Sequence, residues 1–69
     1  MTTSPIVFER LPDGTHELRY ADRVIGWARE ALSSRRPGER LWRAVSIHGE
    51  IRHCATREAA RATLLSLDH

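Results

Sequence analysis

The 69-residue sequence has no lysine, no asparagine and no glutamine, and a single cysteine, Cys54. Each absence excludes something. One thiol forms no internal disulfide, and nothing from Met1 to Leu11 pairs a charged segment with an apolar one as a secretory leader does; both point to a reducing, cytoplasmic setting. No apolar run nears the roughly 20 residues that a membrane-spanning helix needs. Without asparagine or glutamine the usual readers of adenine are missing. The four glycines, Gly14, Gly26, Gly38 and Gly49, are scattered, so no glycine-rich loop cradles a phosphate.

Every one of the eleven basic residues is arginine, set against nine acids for a net charge of +2. A coding bias toward arginine and alanine explains such a composition, but its chemistry still matters. Arginine offers a planar fork for carboxylates, phosphates and aromatic faces, and it is enriched at protein interfaces. The charges alternate in sign along the chain except from Ser33 to Arg43, where Arg35, Arg36, Arg40 and Arg43 face one acid, Glu39. A chain of this length forms one domain that buries about 60% of its unfolded surface. Self-association into a homodimer is the expected source of further burial.

Met1 to Pro5 is short and polar and is expected to be a disordered terminus, leaving residues 6–69 as a single small α+β domain. Ile6 to Leu11 and Thr15 to Tyr20 read as two strands turning on Asp13-Gly14, with His16, Leu18 and Tyr20 on one face. Over residues 22–33, Val24, Ile25, Trp27, Ala28, Ala31 and Leu32 fall at helical spacing behind Asp22, a good N-cap, and this periodicity predicts a helix with Trp27 in the core. The alternative is an extra strand pairing back on Thr15 to Tyr20, favoured by Gly26 and the Val-Ile pair. Ser33 to Arg40 has loop chemistry. Leu41 to Ile47 and Ile51 to Ala55 read as strands turning on His48-Gly49. Thr56 then caps a helix whose apolar side is Ala59, Ala60, Leu64, Leu65 and Leu67, with Arg57, Arg61 and Asp68 toward water.

The two halves match as strand, strand, capped helix. The expected fold is a four-stranded antiparallel sheet with helices on one face in β-β-α-β-β-α order; if residues 22–33 form a strand, one C-terminal helix remains.

Few residues suggest reaction chemistry. His48, His53 and Cys54 lack the paired spacing of a zinc site, and His53 and Cys54 point to opposite sides of a strand. No base and orienting group stand in register with the thiol. The expectation is a protein that is not an enzyme and uses no cofactor or metal. Trp42 either lies on the outer sheet face beside the arginines, as a binding hot spot, or completes the core with Arg43 at its edge.

The arrangement Trp42-x-Ala44, a turn at Gly49, then Thr56-Arg57-Glu58-Ala59 over residues 41–67 resembles the arm-type DNA-binding domain of phage and transposon integrases, although Cys54 stands where that family usually has an aromatic. The resemblance implies a sheet that enters the major groove, supported by a C-terminal helix, with Arg43 and Arg52 touching DNA. Phosphate binding needs several uncompensated cations, which near-balanced charge does not supply. The reading drawn from the residues is therefore a protein-binding module, a small accessory or inhibitor protein of phage or mobile-element type. It docks through Trp42, Arg35, Arg36, Arg40, Arg43 and Arg52 on a partner protein, with nucleic acid as the alternative partner.

Overall fold

A computed structural model describes residues 5–68. Five strands come first: β1 (Ile6–Arg10), β2 (His16–Tyr20), β3 (Arg23–Leu32), β4 (Arg40–Ser46) and β5 (Ile51–Cys54). They form one antiparallel sheet in chain order, and helix α1 (Arg57–Leu67) follows. The terminus expected to be disordered lies outside the described residues except for Pro5, whose carbonyl accepts the Ala21 N–H at 3.0 Å. Among the described residues no helix is long and apolar enough to cross a membrane.

The four-stranded sheet with a helix over residues 22–33 is overturned. That segment is the longest strand, β3, paired with β2 on one side and β4 on the other. With it goes the matching of the two halves, since only the second ends in a helix; the extra strand with one C-terminal helix is what the chain adopts. The misleading periodicity has a physical source. Between Leu18 and Arg19 the β2–β3 register shifts, leaving Ile25 as the additional residue of a bulge. Ile25 and Ala28, three apart as on a helix, are therefore both buried. Asp22 is not a cap but half of a two-residue turn, with Ala21 at φ 51° and Asp22 at φ 64°. Two left-handed residues match the right-handed twist of a hairpin, although neither is the glycine such turns favour.

The other turns follow from their residues. Gly14 takes φ 91° while the Thr15 N–H donates to the Asp13 carboxylate at 2.9 Å. That bond is the main reason the carboxyl titrates below its usual range. Gly49 takes φ 86° beside buried Ser46, whose Oγ accepts the N–H groups of His48 and Glu50, each at 3.2 Å.

Helix α1 packs on β3, β4 and β5. Thr56 caps it as its residue type dictates, its Oγ1 accepting the Ala59 N–H at 3.1 Å. Ala60 and Leu64 are buried among Leu18, Ile25, Ala28 and Ala44, and Ile6, Phe8, Trp42, Cys54 and Leu65 pack around them. Two residues expected in water do more. Arg57 lies 4.6 Å above the Phe8 ring and donates to the Phe8 carbonyl, and Asp68 pairs with Arg23 at 3.3 Å. These contacts tie the helix ends to β1 and to the start of β3.

Candidate docking surfaces

Side-chain alternation on a sheet with a helix on one side assigns each residue to a covered or an open face. On β4, buried Ala44 and Ser46 lie on the covered face, and Trp42 shares it. Its ring meets His16 edge-on at 5.1 Å, and His16 in turn meets Phe8 at 5.3 Å. Trp42 is thus a core residue, and the outer-face reading of it is corrected. The two tryptophans exchange roles, because Trp27, expected inside, lies across from Val45 on the open face and is 36% exposed.

One continuous row crosses that open face through all five strands: Glu9, Glu17, Trp27, Val45 and Ile51 are successive cross-strand partners. The row beside it joins Arg29, Arg43 and His53. A hollow of about 70 Å³ lies between them, lined by Thr15, Trp27, Arg29, Arg43 and Val45 among others. Among the described residues Glu9, Arg29 and Arg43 have no ion-pair partner.

The arginine-rich loop is the tip of a ribbon. Strand β3 pairs with β2 only as far as Ala28, and β4 pairs with β5 only from Trp42 onward, yet β3 and β4 pair with each other out to Leu32 and Arg40. Both strands of the hairpin therefore overrun their neighbours. The tip is ordered by Ser33, whose Oγ accepts the N–H groups of Arg35 and Arg36 at 3.2 Å, and whose own N–H donates to the Glu39 carbonyl at 2.8 Å. Arg36 pairs with Glu39 at 3.7 Å and Arg40 with Glu30 at 3.5 Å, leaving Arg35 as the tip arginine without an acid among the described residues. Leu32 is 72% exposed and borders a depression of about 460 Å³ with Ala31, Ser33, Ser34, Arg35, Leu41 and His53.

The remaining sequence candidates are dispersed. Arg52 lies opposite Ala44, on the same face as Trp42, and donates to the Ile51 carbonyl and to Glu50. It does not join Arg43. His53 is exposed on the open face, while Cys54 turns inward, its Sγ 3.5 Å from Thr63 Oγ1. Among the described residues no three His, Cys, Asp or Glu side chains gather to hold a metal.

A second hollow, about 290 Å³, lies on the covered side among Arg10, Gly14, His16, Glu30, Trp42 and Arg57. Among the described residues the His16 Nδ1, buried there, finds no hydrogen-bond partner. Burial first, then Arg57 and Arg10, push its pKa below the ordinary histidine value, disfavouring the charged ring. Sequence reasoning passed over His16. No linear pattern marked it: only the pairing of Arg10 with His16, of His16 with Ala28 and of Ala28 with Ala44 brings its ring between Phe8 and Trp42.

Set against protein-family models, curated proteins and solved structures, the chain has no match.

Proposed function

We propose that the chain is a non-catalytic docking module that holds a partner protein through the β3–β4 ribbon. The observation that carries this reading is the overrun of the hairpin. Beyond Ala28 the outer edge of β3 has no strand beside it among the described residues. An unpaired edge offers main-chain N–H and C=O groups to an extended segment of another protein, which adds as a further strand. Next to that edge stand exposed Leu32 and Arg35, a leucine for apolar contact and an unpaired guanidinium for a carboxylate. The loop is already ordered by Ser33, so less entropy is lost on docking.

Ribbon charge argues for protein over nucleic acid. Of the three arginines at its tip, Arg36 and Arg40 already have acids, which leaves Arg35 the tip cation without one among the described residues, and phosphate binding takes several free cations. The experiment compares the wild-type chain with a Leu32→Asp/Arg35→Glu variant as bait in extracts of the source cells, alongside a salt titration against random duplex DNA. A protein retained by the wild type and lost with the variant supports the module. Duplex binding that weakens steeply with salt, with no such protein, replaces it by the integrase-like reading in which Arg43 meets DNA.

A further inference from the structure

We propose that the hollow among Arg10, His16, Trp42 and Arg57 captures the C-terminal carboxylate of the partner protein. The proposal rests on the docking reading in one respect, that the partner arrives along the free edge of β3.

That edge leads into the hollow. The Ile47 N–H donates to the Ile25 carbonyl and the Ser33 N–H to the Glu39 carbonyl, so from Ile25 onward the odd-numbered residues of β3 turn their main-chain groups toward β4. Glu30 and Leu32 turn theirs the other way, to the side where the pairing with β2 has ended. A depression of about 240 Å³ follows the edge along Glu30, Ala31, Leu32 and Arg40, and Glu30 also lines the hollow of about 290 Å³. The lateral edges of the sheet are less open, because the Phe8 carbonyl of β1 accepts from Arg57 and the Ile51 carbonyl of β5 accepts from Arg52.

Strand β2 begins at His16, opposite Ala28, and stands in the line of the edge. A segment bonded to Glu30 and Leu32 therefore ends there or turns aside, and its direction decides what it brings to the hollow. Antiparallel addition continues the pattern of every strand pair in the sheet. It runs from the ribbon tip toward β2 and delivers a C-terminus, whereas parallel addition delivers an amine.

The charges of the hollow choose between the two. Arg10 has no ion-pair partner among the described residues, and Arg57 has exposed Glu58 at 3.6 Å. Glu30, the acid of the lining, is drawn to Arg40 at 3.5 Å. At the His16 ring Arg57 and Arg10 each act more strongly than Glu30, so the local field is positive. The Gly14 carbonyl lies near enough to favour the charged ring, yet Nδ1 finds no hydrogen-bond partner among the described residues. Two guanidiniums and an unpartnered imidazole nitrogen suit a carboxylate, whose oxygens accept several charge-assisted hydrogen bonds. An amine in the same place meets like charge.

The test is an NMR titration of the intact chain with a short acetylated valine–threonine peptide that ends in a free carboxylate, and with the same peptide ending in an amide. The acid is expected to bind at least about tenfold more tightly than the amide, and to shift the His16 ring together with the Glu30 and Leu32 amides. Because an opposite charge favours the charged imidazole, the His16 titration moves to higher pH in the complex. Arg10→Ala, at an exposed strand end, removes the preference for the acid and leaves the affinity of the amide as it was. Equal binding of acid and amide overturns the proposal and leaves strand addition at the ribbon in place. An amide-ended peptide with an internal glutamate that binds as tightly as the acid also overturns it, since the hollow would then read a side chain. So does the absence of any shift at His16. A shift at His16 that depends on the free acid, with none at Glu30 or Leu32, upholds the carboxylate site and removes the ribbon edge from the docking reading.

Discussion

Leu64 of α1 sits so close over Gly26 of β3 that a Cβ on the glycine would fall 2.6 Å from Leu64 Cδ2, and 2.7 Å from the Val45 carbonyl oxygen. Glycine is required here for close approach and not for an unusual dihedral. The leucine tip can shift, but the Val45 carbonyl belongs to the β3–β4 ladder and cannot. Gly26→Ala is expected to cost about 1–3 kcal/mol through overpacking. In a chain with so few buried residues that is a large share of a total stability of roughly 5–15 kcal/mol. Urea denaturation checks it, and an unchanged midpoint would mean that the helix does not lie this close to the sheet.

Trp42→Ala should act on stability. The ring packs against the core and His16, so its loss is expected to cost about 2–4 kcal/mol. A variant with wild-type stability would return Trp42 to the surface.

The Ala21-Asp22 turn is open to improvement. Both residues occupy the left-handed region, where alanine is strained. The double change Ala21→Asn and Asp22→Gly should raise stability by about 1 kcal/mol, as Asn-Gly suits this turn type. A fall in the thermal midpoint would show that the turn has another geometry.

His16 makes stability depend on pH. Its folded-state pKa lies below the ordinary 6.5 because burial and the neighbouring arginines resist the charged ring. Well above pH 6.5 both folded and unfolded chains hold the ring neutral and its contribution is complete. As pH falls below that value the unfolded chain takes up the proton first, so stability declines toward the depressed folded pKa. His16→Phe keeps a ring between Phe8 and Trp42 and is expected to flatten this acid limb in denaturation measured across the window. An equally steep limb in the variant would assign the effect elsewhere.

Thr56→Ala removes the side-chain acceptor for the Ala59 N–H. About 1 kcal/mol of stability should be lost, with Thr56→Ser retaining most of it.

Most of the framework was legible in the residues, and what was not has a definite cause. Asp13-Gly14, His48-Gly49 and Thr56 mark turns and a cap through chemistry local to each, so β1, β2, β4, β5 and α1 fall close to their expected places. Strand β3 escaped because the bulge at Ile25 turns an alternating pattern into a three-residue spacing, and because Ala21-Asp22 carries no glycine to announce a hairpin. The facing of Trp42 depended on which strands lie under the helix. Ala44 was the clue, since a small side chain at mid-strand lets a helix come near, but it acquires that meaning only once Leu64 is seen above the sheet. Arg35, Arg36 and Arg40 fell together as a loop, whereas the open face joins Trp27, Arg29 and Arg43 from two strands, a grouping that no linear pattern contains.

Because each strand pairs with the next one in the chain, no sheet contact has to wait for a distant part of the sequence. Loop-closure entropy is then low at every step, and a chain of low contact order folds quickly for an almost all-β sheet. The helix joins last in sequence and lands on the three strands made just before it, so its own contacts also come from neighbouring stretches of the chain.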